Sequence, residues 1–128
     1  MAWTYSQQTG KLTSPAGLLV GAGYSGGNCG KNPEGVNNPA YQDQHMIGPI
    51  PQGSWTIGKF FDDTSGKGPI VAHLTPNEGT NMYGRTGLMV HGDNSKANHS
   101  ASEGCVILAH SLREMLMASN DRTLIITA

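Results

Sequence analysis

Two residues in the second half of the chain have the types and surroundings that nucleophilic catalysis requires. His91 ends an apolar run and is followed by Gly92, and Cys105 follows Gly104 at the start of a second apolar run. A free thiol is only a few per cent ionised at neutral pH, so a cysteine nucleophile needs a neighbouring imidazole. The pattern predicts Cys105 as the nucleophile and His91 as its general base.

The residues around this pair predict the rest of a catalytic site. Small residues before Cys105 allow close approach of a substrate, and the backbone N–H groups of Gly104 and Cys105 can face a developing oxyanion. The imidazole also needs a third group that fixes its tautomer. Asp93, Asn94, Ser102 or a backbone carbonyl could supply it.

Other interpretations of the same residues stay open. Cys105 could be a buried core residue and His91 a structural histidine. His99 lies nearer to Cys105 in sequence and is an alternative base. His91, Asp93 and His99, with Cys105, could also form the zinc site of a peptidase, although their spacing does not fix a third strong ligand. We favour the thiol mechanism, with no metal and no cofactor.

The elements that must position these residues are mostly short strands. The chain has 128 residues with 18 Gly and 7 Pro, a composition that favours turns and strands over a helix bundle. Ser111 and Glu114 fit a capping box and predict one helix that begins there. We therefore expect a single domain over residues 1–128, mainly β, with one short helix after Cys105. The predicted strands are residues 3–6, 11–13, 18–25, 54–58, 70–74, 88–91, 105–108 and 123–127.

A long segment, residues 26–53, is rich in Gly, Asn and Pro and has no apolar period. Loops longer than about 12–15 residues are uncommon and are usually functional or disordered. Because predicted strands bracket it, we expect this segment to be a functional loop. Cys29 lies in it and is predicted to be a bystander thiol.

Charge and hydropathy exclude several classes of partner. Lys plus Arg is 8 and Asp plus Glu is 9, so the formal net charge is −1. This balance argues against nucleic acid or an anionic lipid surface as the main partner. The chain has no run of 18 apolar residues and its start lacks the pattern of a secretory signal peptide, so we expect neither membrane insertion nor general export.

The catalytic residues lie in motifs that resemble a known family. The segments 90–92 (Val-His-Gly) and 102–106 (Ser-Glu-Gly-Cys-Val) resemble the signature of the L,D-transpeptidase catalytic domain, a His-Gly followed after a spacer by Ser/Thr-His-Gly-Cys. The segments 24–26 and 48–57 are more similar to one branch, the L,D-transpeptidase-like toxic effectors of the bacterial type VI secretion system. The resemblance implies a β-sandwich-like fold with a short helix.

The resemblance also implies a substrate and a reaction. The substrate would be the peptide stem of peptidoglycan, in which Cys105 attacks the carbonyl of the third residue, a diamino acid, and releases the terminal D-alanine. His91 would be the base, and N–H groups around Gly104 and Cys105 would hold the oxyanion. Transfer of the thioester to water gives L,D-carboxypeptidase activity, and transfer to an amine gives L,D-transpeptidase activity.

Two positions depart from the family pattern. Glu103 replaces the usual histidine of the motif, and Ile107 stands where many relatives carry Arg or Asn. A carboxylate anchor for the substrate could then have moved to Arg85. We also expect Asp93, Asn94 and Glu103 to contact substrate. The same departures keep a catalytically idle, wall-binding module as an alternative.

The resemblance implies a route to the substrate as well. A chain made in the cytoplasm without a signal peptide would need dedicated secretion machinery to reach the periplasm of a target cell. A cognate immunity protein would then protect the producer. The loop at residues 26–53 is the candidate for a cap over the cleft and for contact with that inhibitor.

Overall fold

The computed structural model describes residues 2–63, 67–93 and 104–128, and in these ranges the protein is mainly β with one short α-helix. This agrees with the predicted fold class. The elements are β1 (Trp3–Ser6), β2 (Lys11–Thr13), β3 (Leu19–Ala22), β4 (Tyr24–Ser25), β5 (Gly53–Ile57), β6 (Phe61–Asp63), β7 (Gly68–Pro76), β8 (Met89–His91), β9 (Val106–Ile107), α1 (His110–Ala118) and β10 (Thr123–Thr127).

The described strands form one sheet in the order β3-β2-β1-β10-β5-β7-β8-β9-β4, and β6 pairs with β7 outside this path. Two pairs, β1 with β10 and β8 with β9, are parallel. The other described pairs are antiparallel. The parallel pair β8–β9 carries both His91 and the residues that follow Cys105.

Side-chain alternation along the central strands builds the core. Trp3 and Tyr5 of β1 are buried and pair in register with Leu124 and Ile126 of β10, which are also buried. Successive residues of a strand point to opposite faces, so this spacing sends all four side chains to one face. Further buried members of the same cluster are Leu12, Ile50, Trp55, Ile57, Leu74, Leu112 and Leu116.

Strands β8 and β9 separate two apolar clusters. Val90 and Val106 belong to the larger cluster. Met89, Cys105 and Ile107 belong to a smaller cluster on the opposite face. Because side chains alternate between the two faces of these strands, one face packs in the larger cluster and the other face carries the Cys105 thiol.

Two strand predictions need correction. The predicted strand at residues 18–25 is two strands, β3 and β4, that pair with different partners. The break falls at Gly23, where a Cβ would collide with the carbonyl oxygen of Ile107. In addition, strand β6 was not among the predicted strands, and it forms because its backbone pairs with β7.

The helix also begins earlier than predicted. Ala109 is the N-cap and has no side-chain capping bond, and α1 starts at His110. The predicted capping box of Ser111 and Glu114 is therefore wrong. Glu114 instead faces His110 one turn earlier, with 2.9 Å between Oε1 and Nδ1.

The long segment after Ser25 contains two 3-10 helices, Pro33–Gly35 and Pro39–Tyr41, and no strand before Gly53. Its own backbone bonds hold it together, such as the bond of 2.8 Å from the Gly27 N–H to the Ile47 carbonyl. It is thus a folded loop rather than an open connection. Among the described residues, no helix is long and apolar enough to cross a membrane.

The cluster around β10 predicts a stability difference between two leucines. Leu124 is 3% exposed, whereas Leu19 on the outermost strand β3 is 58% exposed. Leu124→Ala should lower the free energy of unfolding by about 2–5 kcal/mol, because it removes buried methyl groups and leaves a cavity. Leu19→Ala should change it by about 0.5 kcal/mol or less. Denaturant unfolding of both variants measures this, and equal losses would contradict the described core.

Candidate active site

Strands β8 and β9 place Cys105 and His91 on the same face of the sheet. Val90 pairs with Val106 and His91 with Ile107 in a parallel register. Residues two apart in a strand share a face. Cys105, two positions before Ile107, therefore lies diagonally across from His91. The Met89 N–H donates to the Cys105 sulfur across the same pair at 3.3 Å.

The His91 ring has a defined tautomer. Its Nδ1 lies 2.8 Å from the Gly92 carbonyl oxygen. A carbonyl can only accept, so Nδ1 carries the proton and donates it. The lone pair of the neutral ring is then on Nε2. Nε2 is buried, and among the residues that the structure describes it has no hydrogen-bond partner.

Burial lowers the pKa of His91, since a protonated ring would place a second N–H where no acceptor receives it. The bond to the Gly92 carbonyl raises the pKa, the charges of Lys67 and Arg113 lower it, and Asp93 raises it. The result is a histidine whose pKa is below its ordinary value. His91 is consequently neutral at pH 7, the state that a general base requires.

A cavity of about 170 Å³ opens onto Cys105, which is 7% exposed and is a free thiol. The described lining includes Lys67, Arg85 and His45 and contains neither Asp nor Glu. Such a lining suits an anionic ligand. The remaining lining residues are Met46, Thr86, Gly87 and Leu88.

Arg85 is buried beside the thiol, with 2% of its surface exposed. Its Nη1 donates to the carbonyls of Gln42 at 2.8 Å and Pro49 at 2.6 Å, and its Nη2 donates to Gly48 at 2.9 Å. Burial lowers the pKa of Arg85, while the negative charge of a Cys105 thiolate raises it.

Gly104 and Arg85 fit closely against one another. Gly104 has a φ of +122°, and a Cβ there would collide with Nη2 of Arg85, so both conformation and space require glycine. The Gly104 carbonyl accepts from the Ser25 hydroxyl at 3.0 Å, and that hydroxyl accepts from the Ile50 N–H at 2.9 Å. Ser25 and Ile50, at the two ends of the long loop, are thereby linked to each other and, through Ser25, to Gly104.

Asp93 lies at the other end of the strand pair. Its carboxylate accepts from the Tyr24 hydroxyl at 2.7 Å. Both residues line a second cavity of about 460 Å³, together with Ile107 and Arg113. Of the candidates for fixing the His91 tautomer, the Gly92 carbonyl is therefore the observed partner of Nδ1, and Asp93 bonds elsewhere.

Four predicted residues, Asn94, His99, Ser102 and Glu103, lie outside the described ranges. Within those ranges, no group of three His, Cys, Asp or Glu side chains is placed to hold a metal ion. Lys67 also lines the cavity, and no sequence pattern pointed to it, because an isolated lysine among polar residues carries no signal of a cavity.

The fold and the site together define a mainly β protein with a buried cysteine and a neutral histidine on one sheet face. The family model described as the Tlde1 domain matches residues 21–124, which include every residue of this site. The chain belongs to this L,D-transpeptidase-like family of type VI secretion effectors. No curated protein and no solved structure matched the chain.

The lowered pKa of His91 predicts a pH-dependent stability. Below the ordinary pKa of about 6.5, the unfolded chain binds a proton at this ring that the native protein does not yet bind. The contribution of His91 to the free energy of unfolding is thus complete above pH 6.5, and it is lost as the pH falls through the lower pKa of the native protein. His91→Gln should flatten the fall in unfolding free energy between pH 7 and pH 5.

Urea unfolding at several pH values measures this slope. The control is His73→Gln, a change at an exposed histidine on β7. An unchanged slope in His91→Gln, or an equal change in both variants, would mean that His91 is not held neutral by burial.

Proposed function

We propose that this protein is a cysteine-dependent peptidoglycan enzyme that removes the terminal D-alanine from tetrapeptide stems, exchanges it for another D-amino acid, or does both. The observation that carries the proposal is the shared face of Cys105 and His91, with the basic nitrogen of the imidazole unpartnered. Membership of an effector family that targets peptidoglycan supports the substrate. The cationic cavity supports an acidic ligand such as a peptide stem.

Acylation uses the two residues in sequence. His91 Nε2 takes the Cys105 proton, and the sulfur attacks the carbonyl carbon of the third stem residue, so that a C–S bond forms and negative charge moves to oxygen. The backbone N–H groups of Gly104 and Cys105 bind this oxyanion. When the intermediate collapses, the C–N bond to D-alanine breaks and the leaving nitrogen receives the proton from His91.

Deacylation determines the product. Water or the amine of a D-amino acid attacks the thioester, and His91 takes the proton that the nucleophile loses. The C–S bond then breaks, and the sulfur leaves and recovers a proton. Water gives a tripeptide stem, and an amine gives an exchanged stem. Both reactions use the same site, so the relative access of water and amine decides between them.

The family also supports a proposal for where the enzyme acts. We propose that a type VI secretion machine carries it into the periplasm of a neighbouring bacterium, where stems are accessible, and that an immunity protein protects the producer. The folded loop over residues 26–53 is the proposed contact for that inhibitor, because Arg85 and Ser25 attach it beside the nucleophile.

The nucleophile is tested by two matched cysteine variants. Cys105→Ala should abolish release of D-alanine from a purified tetrapeptide muropeptide, because no other group in the site can form the thioester. Cys29→Ala, which removes the exposed thiol of the long loop, should leave turnover nearly unchanged. Mass spectrometry of muropeptides, with and without an added D-amino acid, measures cleavage and exchange. Retained activity in folded Cys105→Ala would rule out the thiol mechanism.

The site of action is tested by expression in a susceptible bacterium with and without an added export signal. The exported protein should deform or lyse the cells, because it meets stem peptides, and the cytoplasmic form should be harmless. Exported Cys105→Ala is the matched control and should also be harmless. Cell shape and viability are the readouts, and equal toxicity from both locations would point to a target other than the cell wall.

A further inference from the structure

The cavity at Cys105 contains two permanently cationic side chains that differ in what they are free to bind. The Arg85 guanidinium is buried, and both hydrogens of its Nη1 go to the carbonyls of Gln42 and Pro49. Lys67 is exposed, and within the described ranges its ammonium group has no ion-pair partner. Lys67 is therefore the cation of this cavity that a ligand can engage directly.

The backbone places Lys67 at the His91 end of the site. Lys67 directly precedes β7, which runs antiparallel to β8 with Ala72 opposite Val90. Continued by one residue, this register puts Val71 opposite His91, and Lys67 lies four residues before Val71 at the same end of the strands. The Lys67 N–H donates to the Asp63 carboxylate at 3.1 Å, which holds the Lys67 backbone beside the end of β6. The charge of Lys67 reaches the imidazole, since it contributes to lowering the pKa of His91.

The leaving D-alanine carries a carboxylate, which a cation close to Cys105 and His91 would bind. The nitrogen of the leaving D-alanine must lie beside His91 Nε2 to receive its proton. The carboxylate of that amino acid is separated from the nitrogen by a single carbon atom. A group that binds this carboxylate must therefore be near both Cys105 and His91. Lys67 lines the cavity at Cys105, and its charge acts on His91.

We propose that Lys67 binds the terminal carboxylate of the leaving amino acid in the donor stem. The inference rests on the proposed function and assigns to Lys67 the anchor that the sequence analysis sought in Arg85. It makes Lys67 a determinant of specificity, because a stem whose last residue is amidated or extended presents no carboxylate there. Arg85 would then act on the thiol and the loop, and Lys67 on the substrate.

The test compares two tetrapeptide stems, one with a free terminal carboxylate and one with a terminal amide. The wild-type enzyme should prefer the free acid. Lys67→Met should lower kcat/KM for the acid by about ten- to a hundredfold, mainly through KM, as expected for loss of a charged hydrogen bond. The amide should be cleaved as before. Lys67→Arg should keep the preference, and Lys11→Met, at an exposed lysine on β2, should change nothing.

Binding measured with the inactive Cys105→Ala protein separates this inference from the proposed function. Calorimetry with both stems should show the same dependence on Lys67 without turnover. If wild-type enzyme cleaves stems but Lys67→Met keeps its preference for the acid, the Lys67 assignment is overturned and the function stands. If nothing is cleaved but Lys67-dependent binding of the acid persists, the function fails and the carboxylate site stands.

A third stem, amidated on the side-chain carboxylate of the diamino acid, completes the test. Whatever discrimination the wild-type enzyme shows between this stem and the unamidated stem, measured as kcat/KM, should be the same in Lys67→Met. Loss of that discrimination, with the preference at the terminus intact, would show that Lys67 binds the acyl side of the substrate and would overturn the assignment.

Discussion

The parallel pairing of β8 with β9 is the constraint on which the site depends. Because Val90 lies opposite Val106, the residues on either side of them, including Met89 and Cys105, point to the other face. An antiparallel hairpin could join such strands with a two-residue turn, but a parallel pair needs a crossover of a dozen or more residues. The spacing between His91 and Cys105 in the sequence is long enough for that crossover, and the sheet brings its two ends together.

The buried guanidinium of Arg85 connects this pair of strands to the long loop. Taking a guanidinium out of water is costly unless its donors are satisfied, and the carbonyls of Gln42, Gly48 and Pro49 satisfy those of Arg85. The loop thus stabilises the arginine, and the arginine stabilises a thiolate at Cys105. The absence of a side chain at Gly104 permits this contact. One side chain thus both binds the loop and lines the cavity at Cys105.

Local patterns predicted what depends on local residues. Strands were predicted at residues 3–6 and 123–127, and the structure has both, with burial that alternates along each. The break at Gly23 was not predictable, since it depends on a carbonyl contributed by Ile107, far away in sequence. Nor was the start of the helix, because the capping pattern pointed to Ser111 whereas the observed N-cap is Ala109, which has no side-chain capping bond.

The residues of the site also differ in whether the local sequence predicts them. His91 and Cys105 carry a signal because their residue types are reactive and their neighbours are small or apolar. The Gly92 carbonyl that orients His91 belongs to the backbone, which no residue type reveals. Lys67 reaches the cavity through the register of β7 against β8, a property of the sheet.

The position of β10 has a consequence for how the protein folds. This strand follows all the other described strands in chain order, yet it lies between β1 and β5 in the sheet. During synthesis, β1 to β3 and β5 to β9 therefore each keep an unpaired edge until β10 leaves the ribosome. Contacts that join such distant segments make folding slow. The two halves can form one sheet only after translation has passed the last strand.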